Sequence, residues 1–169
     1  MIEPSKIRKI AEKYEDENLR FRSFLKNRAD PDELDIQFKN LHNEFFPGYD
    51  CCQCNNCCKS FSISVTEEDV NRIAAHLGLT IEDFISGYLV RSSDGYDSEY
   101  EIKEPCAFLN PDGKCAIQEC KPEVCKEYPH TDMPDRIFSL YSVLSNAEIC
   151  PVVFEILQRL KKIYGFRSR

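Results

Sequence analysis

Apolar residues recur every three or four positions through the first part of the chain. Ile7, Ile10, Ala11, Tyr14, Phe21 and Leu25 keep roughly to one face, which predicts a helix over residues 4–27. Asp30-Pro31-Asp32 breaks it, and Leu34, Phe38, Leu41 and Phe45 predict a second helix that Pro47-Gly48 ends. The pair is expected to form a helical hairpin packed on the cysteine-rich core. Beyond it the period shortens. Phe61-Ser62-Ile63-Ser64-Val65 alternates and predicts a short strand. Thr66-Glu67-Glu68-Asp69 reads as a capping box opening a helix with Val70, Ile73, Ala74 and Leu77 inward and Gly78 just past its end. Thr80-Ile81-Glu82-Asp83 caps another short helix running to about Leu89. Residues 92–104 are polar with a Ser-Ser-Asp-Gly turn, and predict an exposed loop or irregular hairpin. Asn110-Pro111-Asp112-Gly113 is a turn, Pro122 starts a helical turn, Ile137 to Val143 predicts a strand, and Pro151 to Tyr164 a closing helix with Val153, Ile156, Leu157 and Leu160 on one side.

These elements predict an α+β fold, mostly helical, with irregular loops. The expected division is a helical hairpin over residues 1–47 and a second domain over 48–169. A hydrophobic content of 42% supports a packed core. The 22 Lys plus Arg against 29 Asp plus Glu give a net charge of -7. That balance argues against nucleic acid, whose binders carry a basic face. The polar N-terminus has no apolar h-region, and no apolar run reaches the length of a membrane span. The expectation is therefore a cytoplasmic protein with no membrane partner.

Cysteine changes the picture. Ten of the 169 residues are cysteine, and five fall within residues 51–58. In a reducing compartment dense cysteines point to metal rather than to disulfides, and adjacent cysteines suit simple bridges poorly. Cys51, Cys54 and Cys57 form a C-x2-C-x2-C run that can wrap three thiolates around one soft metal. It is the spacing of the first three ligands of bacterial ferredoxin-type iron–sulfur sites, in which a later cysteine precedes proline, as Cys150 precedes Pro151 here. A C-x2-C pair equally serves as half of a zinc site. The metal is thus zinc or iron, the latter as an ion or as a 4Fe–4S iron–sulfur cluster. Cys58 follows Cys57 directly, and neighbouring side chains tend to diverge. Cys58 is therefore expected to face a second site, or the other end of a multinuclear centre, with Cys106, Cys115 and Cys125 as candidates to complete that second site.

The runs Cys51 to Cys58, Cys106-Ala107-Phe108-Leu109 with Cys115-Ala116-Ile117, and Lys121-Pro122-Glu123-Val124-Cys125-Lys126-Glu127-Tyr128-Pro129 resemble the CxxCxxCC, or YkgJ-type, cysteine-cluster family. The similarity runs over roughly residues 48–165 and leaves the hairpin outside. It implies a zinc- or iron-chelating domain, often called iron–sulfur-cluster containing. It also implies eight ligands: Cys51, Cys54, Cys57, Cys58, Cys106, Cys115, Cys125 and Cys150. Lys121 and Lys126 stand where the family pattern has arginines, keeping charge but losing the guanidinium fork. Cys52 and Cys120 are extra to the pattern and read as small packing or solvent-facing thiols. A similar module occurs in the flagellin lysine-N-methylase family, so a metalloenzyme of redox or protein-modifying type is the alternative implied. No phosphate loop, dinucleotide fingerprint or nucleophile elbow is present, and no residue is named as catalytic. His130 sits five positions past Cys125 and is read first as a loop histidine, second as a ligand; His42 and His76 read as structural. The N-terminal helices are a candidate docking face for a protein partner.

Overall fold

Caps and prolines decide where the helices begin. The computed structural model describes residues 1–92 and 99–167. Single 3-10 turns at Pro4–Lys6 and Glu12–Tyr14 flank α1 (Ile7–Ala11) and lead into α2 (Glu15–Arg28). The helix predicted over 4–27 is thus present, with tighter turns inside it. Asp30 caps α3 (Pro31–Phe45): its carboxylate accepts the Glu33 N–H at 3.0 Å, and Pro31 occupies the first turn, where its missing N–H costs nothing. Next come α4 (Cys51–Cys54), α5 (Asn56–Ser60), β1 (Ser64–Val65), α6 (Glu67–Leu77), α7 (Ile81–Tyr88), β2 (Leu89–Arg91) and β3 (Tyr100–Ile102). A 3-10 turn at Gln118–Cys120, α8 (Glu123–Glu127), α9 (Leu140–Ala147) and α10 (Pro151–Ile163) complete the order. The fold class is mostly helical α+β, as expected.

The two helices between residues 66 and 88 begin on the predicted threonines. Thr66 and Asp69 exchange both hydrogen bonds of a capping box, and Thr80 accepts the Asp83 N–H. Gly78 closes α6 at φ +68, a conformation glycine reaches without a Cβ penalty. The strands pair antiparallel in the order β1-β3-β2, with Glu101 of β3 facing Ser64 on one side and Val90 on the other. The polar segment predicted as loop or hairpin therefore supplies the central strand. Residues 93–98, which hold most of the Ser-Ser-Asp-Gly turn, lie outside the described residues.

One predicted element is wrong in type. Residues 137–143 are not a strand: Leu140–Ala147 is helix α9. Its buried positions are Leu140, Val143, Leu144 and Ala147, while Phe138 and Tyr141 stand exposed. That is helical spacing, and a window stopping at Val143 cuts off the residues that reveal it.

The chain divides into two compact units, residues 1–50 with 129–169, and residues 51–128. This differs from the division drawn at residue 48, because the last two helices join the first three. Helix α10 is amphipathic: Val152, Val153, Phe154, Ile156, Leu157 and Leu160 are buried while Arg159 and Lys162 stand exposed, and it packs on α3 and α9, while α9 packs on α2. The hairpin thus closes against these C-terminal helices. The segment entering α9 is pinned by polar contacts: the Asp35 carboxylate accepts the N–H groups of Asp135 and Arg136 at 2.6 and 2.8 Å, and His42 Nδ1 meets Thr131 Oγ1 at 2.8 Å. His42 is thus structural, as read. The second unit has its own core of Val65, Val70, Ile73, Phe84, Leu89, Ile102, Phe108 and Ile117, with the Phe84, Tyr88 and Phe108 rings stacked. Cys106 and Cys115 pack against that core.

Candidate metal centre

The first cysteine run is two helical turns joined at a left-handed residue rather than an open loop. Cys51 and Cys54 lie at the two ends of α4, three positions apart and so on neighbouring rows of its surface. Asn55 follows at φ +58, tolerated because its short amide bonds locally: Nδ2 donates to the Cys52 carbonyl at 2.8 Å. Helix α5 then carries Cys57 and Cys58. Cys51 and Cys52 are exposed, whereas Cys54, Cys57 and Cys58 are half-buried.

The second run is a tight hairpin. Leu109 bridges to Cys115, the Asn110 N–H reaches the Lys114 carbonyl at 2.9 Å, and Gly113 N–H reaches Asn110 O at 2.9 Å. Gly113 sits at φ +85, and a Cβ there would lie 2.5 Å from the Cys52 carbonyl oxygen and 2.7 Å from Asn55 Nδ2. Only glycine lets this turn close on the first cysteine run, so Gly113 joins two stretches some sixty residues apart in sequence. Gly113→Ala is expected to cost about 2 kcal/mol in a urea titration, from left-handed strain plus the backbone clash, and to lower metal content. A change under about 0.5 kcal/mol, ordinary for surface substitutions, would show the approach to be unimportant.

Cys125 arrives on α8, held by an ion pair in α6. Asp69, only 2% exposed, accepts the Glu123 N–H at 3.3 Å and pairs with Arg72, whose guanidinium also donates to the Lys121 carbonyl at 2.8 Å. Sequence reading found Asp69 as a cap but missed this second role. The signal available was the Asp69-x-x-Arg72 spacing, which pairs opposite charges on one helix face.

The thiols of Cys58, Cys106, Cys115 and Cys125 lie close enough to sense one another. Cys58 is drawn down to about 6, first because Cys57 donates a hydrogen bond to it, then by the nearby ammonium groups of Lys121 and Lys59. Burial pushes Cys125 up to about 12, reinforced by negative charge on Cys58, Cys106 and Cys115. Cys106 and Cys115 are raised by the same two causes, burial first. Working against that rise, the backbone N–H groups of Phe108 and Leu109 point at the Cys106 sulfur, and that of Ile117 at the Cys115 sulfur. N–H donors aimed at sulfur favour the thiolate form, which binds metal. Cys58 thus feels both its neighbour Cys57 and, through charge, the thiols of the later stretches.

Among the described residues, no three or more His, Cys, Asp or Glu side chains are gathered at coordination spacing. The donor set nevertheless suits a soft metal chemically. Four half-buried thiols share a region whose nearby positive charge comes from lysines, and a zinc or iron cation would offset the burial cost and the mutual repulsion of their thiolates. Cys120 is buried in the core and Cys52 is exposed, as their readings as extra thiols expect. Cys150 is buried in the helical unit immediately before α10, and His130, at φ +60, belongs to that unit too. Among the described residues no single helix is long and apolar enough to cross a membrane.

Residues 50–151 match the CxxCxxCC family model, whose description is "Putative zinc- or iron-chelating domain". No curated protein and no solved structure matches the chain.

Proposed function

Since the chain belongs to the CxxCxxCC family, a metal-chelating one, we propose that its cysteine unit holds zinc or iron through two groups of thiolates. Cys58, Cys106, Cys115 and Cys125 form one group, and Cys51, Cys54 and Cys57 the other. Cys57 donates to Cys58 and so links the two. Cys150 enters the ligand set on the family pattern alone. The observation that carries this reading is geometric: the hairpin joining Cys106 to Cys115 closes at Gly113 on the Cys52 carbonyl, and Asp69 and Arg72 hold the segment leading to Cys125.

Bound zinc would supply a staple between loops; an iron–sulfur cluster would add one-electron redox chemistry. The chain's own work is to gather the sulfurs. Gly113 allows the two runs to close, Asp69 and Arg72 hold the segment leading to Cys125, and Lys121 offsets negative charge on Cys58, Cys115 and Cys125.

Single Cys→Ser variants at 106, 115 and 125, and at 51, 54 and 57, purified anaerobically, test the assignment by metal and sulfide analysis. Each variant is expected to lose bound metal, while Cys120→Ser keeps it. Unchanged stoichiometry in all six would refute the ligand groups. Broad visible absorption with stoichiometric sulfide would identify a cluster, and colourless protein with zinc a simple ion site.

A further inference from the structure

The helical unit contains a cavity of about 390 Å³ between the α1–α2 stretch and α9. Its lining owes nothing to the cysteines. Ala11 and Leu144, both buried, give it an apolar floor, and Glu12, Glu15 and Glu148 stand at its exposed rim. Among the described residues none of these three carboxylates is in a salt bridge. With Arg8 the only cationic lining residue, the rim carries two net negative charges. Asn18 also lines the cavity; it is 5% exposed, and its Oδ1 is buried with no hydrogen-bond partner. Buried carbonyl oxygens almost always find a donor.

We propose that this cavity binds a small linear aliphatic polyamine, with ammonium groups at the carboxylate rim, methylenes on the Ala11–Leu144 floor and an N–H donated to Asn18. Each alternative class fails on one feature. An anion would meet three carboxylates. A divalent metal needs several converging oxygens, and no group of three or more metal-binding side chains is gathered among the described residues. A neutral apolar ligand would leave the Asn18 acceptor unpaired. The volume lies toward the small end of ligand pockets, which suits a short flexible chain. This proposal does not depend on the metal reading, since its residues lie outside the cysteine unit.

Calorimetric titration of the full-length, metal-loaded protein with spermidine tests it. The double variant Glu15→Gln/Glu148→Gln is expected to weaken binding at least tenfold. Ser145→Trp, a substitution at an exposed lining position that fills the cavity, is expected to abolish it while leaving the melting temperature unchanged. The charge-matched control Glu68→Gln/Glu82→Gln, at exposed sites in the other unit, is expected to change affinity less than twofold. Equal weakening by the pocket and control pairs would mean that the amine merely condenses on an acidic surface, and would overturn the proposal. So would full binding by Ser145→Trp, or no binding by the parent protein at millimolar spermidine.

Discussion

Stripping metal from the reduced protein will remove backbone protection from the cysteine loops of residues 51–128 and leave the helical unit protected. The asymmetry follows from element length. Helices α4, α5 and α8 have four or five residues each, and the strands two or three. Helices that short are far below the length that sustains itself in water. Thiolate–metal bonds supply on the order of 10 kcal/mol in structural zinc sites, enough to decide whether such pieces stay ordered. Helices α2, α3 and α10, by contrast, have 14, 15 and 13 residues, and α3 and α10 bury apolar faces, to which Phe21 and Leu25 of α2 add further core. Hydrogen exchange and circular dichroism before and after chelation read the difference. Residues around α6 and α7 should retain part of their protection, because Val70, Ile73 and Phe84 are core. If the loops stay as protected as before, metal is cargo on a self-sufficient fold.

Asp69→Ala is expected to lower unfolding free energy by about 3 kcal/mol and to weaken metal binding with it. The N-cap oxygen of Thr66 keeps its donor, the residue 69 backbone N–H, but the reciprocal half of the capping box is lost. The substitution leaves the N–H groups of Thr66 and Glu123 without their acceptor and Arg72 without its carboxylate. An unsatisfied buried donor costs on the order of 1–3 kcal/mol, and Arg72 is exposed enough for water to offset part of its loss. Asp69→Asn, which keeps a capping oxygen but no charge, should cost about half as much. Urea unfolding of both variants checks the ranking. Equal stability of Asp69→Ala and the parent would remove Asp69 from the support of Cys125.

Much of this fold can be read from the chain because its strongest signals are local. The Thr66 and Thr80 caps, the Gly78 stop and the Asn110–Gly113 turn each depend on residues within five positions, and each forms where predicted. What the sequence conceals is set by distant partners. Nothing near Gly113 announces that the Cys52 carbonyl will lie against it. The apolar face of α10 signals burial without naming α3 as what covers it. Hence the division at residue 48 differs from the units that form. The cysteine motifs identify soft-metal chemistry, but spacing does not announce that left-handed Asn55 divides their run into two helical pieces.

X-ray absorption at the zinc and iron edges of anaerobically purified protein tests thiolate chelation most directly. The expected result is a bound metal with a shell of sulfur alone at about 2.3 Å, the usual metal–thiolate distance. A shell dominated by oxygen or nitrogen, or protein that holds neither metal, would contradict it.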